Sequence, residues 1–274
     1  MDGPSASVMG VDRVAALGPF FAFDTHAPGA VPVEPWRGLR ELVAEPGALA
    51  ERVDGVRAQL AARAGRPVEA VELRVAASVA HLGLVARLVS PALAAAAILG
   101  VPLPLGLDGL HWQPLPGGMF PLSLPLVLPP VNLPPVPDRR EASPAELAAR
   151  LGELLLDGPV RELGQAVRSF SVSGLILRGN AASALVGAVT VLAASPLTTP
   201  AQAGRARATA ARLLDHPSLR GAAGVDASGR FRRRSCCLIY RAAPDGAVGL
   251  CGDCVLAVRG PRGRPPAVRS SGVS

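Results

Sequence analysis

Between Leu39 and Arg63 apolar residues return at every third or fourth position, at Leu42, Val43, Leu49, Val53, Val56 and Leu60. That spacing predicts amphipathic helix, interrupted near Pro46. A stronger helix is predicted from Val68 to Ser90, where the acids come early and the arginines late, as the helix dipole favours. Pro91 then starts a further helical turn into LAAAAILG. Residues 1–37, broken by Gly18, Pro19, Pro28, Pro32 and Pro35, read as irregular.

From 101 to 142 the prolines stand too close together for helix. Short strands are expected there, with tight turns at Asp108-Gly109 and Gly117-Gly118, and a polyproline-like remainder. Ser143-Pro144-Ala145-Glu146 has the pattern of a capping box with Pro at the first helical position. Helix follows to Leu156 and again from Val160 to Phe170. A long apolar helix is predicted over Val172–Ala194, and Thr199-Pro200-Ala201-Gln202 opens another that ends near His216-Pro217. Beyond the loop marked by Gly221, Gly224 and Gly229, FRRRSCCLIYRA and VGLCGDCVLAVR read as two short strands or knuckles joined at Pro244-Asp245-Gly246. The expected fold is therefore α+β and predominantly α-helical. It comprises a helical body (1–225) with a small β/Pro-rich insert (about 101–142), a short cysteine-knuckle cap (226–260) and a disordered tail (261–274).

Composition adds two constraints. With 49% hydrophobic residues in 274, the chain can bury a sizeable core. No lysine occurs, so the number of arginines reflects composition and only their placement carries information. Residues 201–274 hold 13 arginines against Asp215, Asp226, Asp245 and Asp253, while the first 200 hold 15 arginines and 17 acids, so the net +7 comes from the last quarter. The N-terminal stretch has no basic region ahead of an apolar one and makes a poor secretory signal. The apolar run from Ala181 to Ser195 is too short to span a bilayer. A cytoplasmic protein without a transmembrane segment is expected.

All four cysteines lie in that basic quarter, at Cys236, Cys237, Cys251 and Cys254. In a reducing compartment such a cluster points to metal ligation rather than to two disulfides. Cys251-Gly-Asp-Cys254 is a turn that delivers two thiolates to one centre, and Gly252 permits tight backbone. The adjacent pair is unusual, because neighbouring side chains in extended chain point to opposite faces. Zinc sites normally space their ligands by two residues or more, whereas a two-iron core is wider and accepts divergent sulfurs. Arg232, Arg233, Arg234 and Arg241 flank the cysteines and would offset the negative charge of four thiolates around such a core.

SCCLIYR followed by LCGDCVL resembles the C-terminal signature of the FhuF-type ferric siderophore reductases, a Cys-Cys…Cys-x-x-Cys motif that holds a 2Fe-2S cluster. ILRGNAASAL (176–185) and RVAASVAHLGLVARLVSPAL (74–93) are similar to two helical segments of that family. The family spaces its pairs by about ten residues, and the longer stretch Leu238–Leu250 here is the kind of loop insertion that costs little. The resemblance implies a 2Fe-2S cofactor on the four cysteines and one-electron reduction of siderophore-bound Fe(III), with electrons from a partner such as a ferredoxin or flavin reductase. No nucleotide-binding glycine turn, nucleophile elbow or histidine-rich metal motif argues for other chemistry.

Arg87, His111, Trp112, Arg178, Asn180, Arg232, Arg233 and Arg234 are candidate contacts for a chelate, each with an ordinary structural role as its alternative. His81, alone among Ala and Leu, reads as a core or interface histidine. Three other readings stay open. One is a zinc-stapled module that binds nucleic acid or protein through its arginines, although aromatics are only 3% and stacking platforms therefore scarce. The second is a thiol-exchange protein using Cys251 and Cys254. The third is a siderophore-biosynthetic relative, for which no nucleotide site is visible.

Overall fold

The computed structural model describes residues 6–103, 105–115, 119–125, 142–226, 228–243 and 250–256. The expected tail, the polyproline-like stretch 126–141 and the turns at Gly117-Gly118 and Pro244-Asp245-Gly246 lie outside them. The described residues are predominantly helical with a few short strands, an α+β fold as expected.

In chain order, α1 (Ala6–Ala15) leads to β1 (Asp24–His26) and β2 (Arg37–Gly38). Next come α2 (Glu41–Ala44), α3 (Pro46–Arg63) and the 27-residue α4 (Leu73–Leu99). Then follow β3 (His111–Trp112) and β4 (Leu122–Pro125). The second half holds α5 (Pro144–Leu151), a π-helical turn (Gly152–Leu156), α6 (Pro159–Val167), α7 (Gly174–Ala194) and α8 (Pro200–Leu214). It ends with β5 (Ala223–Val225) and β6 (Phe231–Arg233).

Local chemistry sets several of these boundaries. Ser143 accepts from the Glu146 amide while the Glu146 carboxylate accepts from the Ser143 amide, and Thr199 and Gln202 repeat the arrangement at α8. Both capping boxes are the expected ones. Gly100, at φ 70°, closes α4 in the left-handed conformation that suits glycine.

Pro91 does not interrupt α4. The proline leaves the Arg87 carbonyl without its helical donor, a defect that typically costs about 3 kcal/mol. Burial offsets it: Ala92 and Ala94–Ala97 lie at no more than 1% exposure. By length and composition α4 and α7 could each cross a membrane, and α7 is longer than the apolar run suggested. In α4, 72% of the most apolar window is buried within the protein, and in α7 56%.

Two further expectations are corrected. The N-terminal 37 residues contribute a helix and the first strand, and β2 starts at their end. These strands find partners only late in the chain, in the sheet order β1-β4-β3-β2. β1 runs parallel to β4, pairing Asp24 with Ser123, so no local turn signal announces it. For the cysteine segment, expected as two short strands or knuckles, the two-strand form is set aside. Only β6 is strand, pairing with β5, and Cys236 and Cys237 follow it ahead of a short 3-10 helix, Ile239–Ala242. Cys251 and Cys254 flank a turn closed by the Cys254 amide on the Cys251 carbonyl.

Two packed cores result. The larger joins α1, α4, α5, α7, α8 and the four-stranded sheet. The smaller packs α3 and the first turns of α4 against Val167, Val172, Leu177 and Ala242. The cysteine segment sits on this second core, across α4 and α7.

Candidate iron–sulfur site

Strand β6 delivers the chain to the site. Its alternation sends Arg233 inward and leaves Arg232 and Arg234 on the outer side. Arg233 is 1% exposed, and its Nη2 donates to Asn180 Oδ1 at 2.7 Å and to the Ile176 carbonyl at 3.2 Å. Next to it Ser235 Oγ donates to the Leu175 carbonyl at 2.8 Å. This close seat on α7 requires Gly179: a Cβ there would stand 2.5 Å from Ser235 Oγ and 2.9 Å from Arg233 Nη2. On the α4 side, Ser78 Oγ donates to the Cys237 carbonyl at 2.9 Å, and Arg241 pairs with Glu72 at 2.6 Å.

The four cysteines carry no disulfide, and their thiols converge. Sγ of Cys237 and Cys251 are 3.4 Å apart. Cys236 also bonds Cys237, and Cys254 acts electrostatically on both Cys236 and Cys251. Hydrogen bonds from the Cys236 and Cys251 thiols hold Cys237 far below the ordinary thiol range, against the burial that would raise it. The Ile239 amide and the Arg233 charge assist. Cys236 and Cys251 are correspondingly pushed up, first by sharing with Cys237 and then by burial. The thiols therefore share their hydrogens around Cys237, with a buried cation beside them.

The backbone contributes as well. Leu238 adopts φ 69°, a conformation that costs a leucine about 1 kcal/mol. It turns the Leu238 amide onto Cys236 Sγ at 3.3 Å. The Leu256 amide reaches Cys254 Sγ at 3.4 Å in the same way. Amides aimed at sulfur and a buried guanidinium are what tune a cluster of thiolate-bound iron. Among the described residues no three His, Cys, Asp or Glu side chains are grouped to hold a single metal ion. The donor set fits a two-iron cluster held by Cys236, Cys237, Cys251 and Cys254. Cys237 and Cys254 are buried while Cys236 and Cys251 are half-buried, so the thiols have an inner and an outer side.

Of the other residues singled out from the sequence, Asn180 and Arg233 meet at this site. Arg232 bonds Asp226 and, at 2.9 Å, the Gly252 carbonyl inside the Cys-x-x-Cys turn. Arg234 is exposed, and its backbone amide donates to the Ala222 carbonyl. Arg178 lies on the rim of a neighbouring cavity. Arg87, His111 and Trp112 belong to a different region. The Arg87 guanidinium lies 5.6 Å from the Phe120 ring centre, and Trp112 meets the same ring edge-on. His111 stacks on His26 at 3.8 Å.

Sequence reasoning missed Ser78, Gly179, Leu238 and the link through His81. His81 is 1% exposed, and Asn180 Nδ2 approaches its Nδ1 at 3.3 Å while donating to the Ser78 carbonyl at 2.9 Å. Burial, then the Arg233 charge, pushes its pKa down to about 3, so it is neutral. The similarity of ILRGNAASAL to a family segment was the one signal that pointed at this contact.

Residues 233–256 match the family model described as the FhuF 2Fe-2S C-terminal domain. No curated protein matches the chain. The matched stretch begins at the buried Arg233 and encloses all four thiols, so the geometry and the match describe the same object: the chain is an iron–sulfur protein whose cysteine segment is similar to the FhuF 2Fe-2S C-terminal domain.

Proposed function

We propose that the protein is a cytoplasmic ferric-siderophore reductase that releases iron by one-electron reduction. The observation that carries this reading is the convergence of four free thiols, in a FhuF 2Fe-2S segment, against a buried Arg233. A bound 2Fe-2S cluster supplies a one-electron donor and acceptor. The chain's own residues hold that electron carrier between a buried floor and a half-open rim. Arg233, fixed by Asn180 and Ile176, offsets thiolate charge from the inner side. The outer side, at Cys236 and Cys251, is open to an electron-donating partner such as a ferredoxin or a flavin reductase.

Siderophores hold Fe(III) through hard oxygen donors and bind Fe(II) far less tightly. One electron to the metal therefore suffices for release, and no nucleophile or general base is needed. The arginine-rich last quarter suits attraction of an acidic donor or an anionic chelate.

Two measurements test the reading. EPR of the dithionite-reduced protein is expected to give the signal of a reduced two-iron centre. Reduced protein mixed anaerobically with a ferric siderophore is expected to yield Fe(II), read with a ferrous-specific dye, at one iron per cluster. Zinc without acid-labile sulfide in the purified protein would overturn the reading.

A further inference from the structure

A cavity of about 350 Å³ opens beside the cysteine segment, between α6, α7 and the His81 turn of α4. At its floor is His81. Asn180 Oδ1 accepts from Arg233 and Asn180 Nδ2 donates to the Ser78 carbonyl, so the amide nitrogen also faces His81 Nδ1. Nδ1 of the neutral ring is then the acceptor and Nε2 carries the hydrogen. Nε2 has no partner among the described residues, and the nearest outward group is Gly164, whose Cβ, if present, would stand 3.7 Å from it. A buried N–H donor left unpaired is costly, and a ligand oxygen would relieve that cost. The rim is formed by Arg161, Arg168 and Arg178, all exposed. None of the three guanidiniums makes an ion pair or a hydrogen bond among the described residues.

We propose that this cavity binds an anionic oxygen-donor chelate of Fe(III), taking one arm against the His81 Nε2–H and neutralising the rest on Arg161, Arg168 and Arg178. This rests on the reductase reading and narrows it to negatively charged chelates of the catecholate class. Three unpaired guanidiniums give no advantage to a neutral tris-hydroxamate and repel a cationic one. The cavity is also linked to the cysteine segment. His81, Asn180 and Ser78 form a continuous hydrogen-bonded path from its floor to the Cys237 carbonyl. Gly164 sets the space beside Nε2, because a Cβ at that position would stand 3.7 Å from it.

The test uses gallium(III) chelates, which bind like ferric ones and are not reduced. Binding of a trianionic gallium tris-catecholate and of neutral gallium tris-acetohydroxamate is measured by calorimetry on the cluster-loaded protein and on Gly164→Ala, Arg178→Gln and Arg161→Gln. The methyl added in Gly164→Ala makes only ordinary contacts and favours helix, so that variant folds. The tris-catecholate is expected to bind the unaltered protein more tightly than the hydroxamate. Each substitution is expected to weaken it about tenfold or more, since each removes or covers a polar contact to the chelate. Unchanged affinity in all three variants, or preference for the neutral complex, overturns the site. Ferric chelate reduction separates the two readings. Reduction that persists at full rate in the variants leaves the reductase and removes this cavity. Gallium binding that follows the prediction, with no Fe(II) formed, leaves the cavity and removes the reductase.

Discussion

Gly179→Ala probes the seat of the cysteine segment with a single methyl group. The new Cβ would lie 2.5 Å from Ser235 Oγ and 2.9 and 3.1 Å from two nitrogens of Arg233, so both side chains must move. Ser235 can rotate away and lose its bond to the Leu175 carbonyl, worth about 1 kcal/mol. Arg233 has nowhere to go. It is 1% exposed, and shifting it breaks the charge-assisted bond to Asn180, worth about 1.5–3 kcal/mol. Alanine returns about 1 kcal/mol of helix propensity. The net loss of about 1.5–3 kcal/mol weakens docking of the segment by about 10- to 150-fold. Gly187→Ala on the same helix meets nothing within 4 Å and serves as the control, gaining the propensity term alone. The readout is the rate of cluster bleaching under a fixed excess of iron chelator, with far-ultraviolet circular dichroism to follow the helices. Gly179→Ala should bleach much faster with its helices intact. If it bleaches no faster than Gly187→Ala and melts as high, the proposed seat is wrong.

Arg233→Gln removes the buried cation and leaves Asn180 short of a donor, so protein-film voltammetry should find a lower reduction potential and chemical denaturation a loss of about 1.5–3 kcal/mol. Replacing Cys254 by Ser should abolish the visible absorption of the purified protein while leaving the helical circular dichroism in place, because the larger core contains no residue of the cysteine segment. His81 gives a pH dependence: its folded pKa, about 3, lies below the ordinary 6.5, so below pH 6.5 the unfolded chain takes a proton that the folded one refuses. Stability should therefore fall by up to about 1.4 kcal/mol per pH unit as pH drops from 6.5 towards 3. His81→Gln should flatten that slope in urea midpoints measured between about pH 7 and about pH 5.

The cysteine motif and the capped helices were legible in the sequence because their information is local. Ser143 with Glu146 and Thr199 with Gln202 signal their helices within four residues. The unbroken course of α4 through Pro91 was not legible, since the burial that offsets the proline comes from helices far along the chain. Nor were the strands Asp24–His26 and Arg37–Gly38, whose partners lie about a hundred and about 75 residues away. The arginine run showed the same limit. Composition made Arg232, Arg233 and Arg234 equivalent, and only the strand's alternation and the presence of Asn180 opposite singled out Arg233. His81 read as an ordinary core histidine and is indeed buried, but its unpaired nitrogen became visible only once Gly164 was placed over it.

The division between the two cores bears on how the protein matures. The larger core closes without any atom of residues 233–256, and the smaller one takes only Ala242 from them in full burial. The helices can thus assemble first and hold Ser78 and Asn180 ready as a berth, with iron and sulfide delivered afterwards to thiols that are still accessible. A molecule stripped of its inorganic centre by oxidants would keep its shape and could be reloaded, rather than being consigned to degradation.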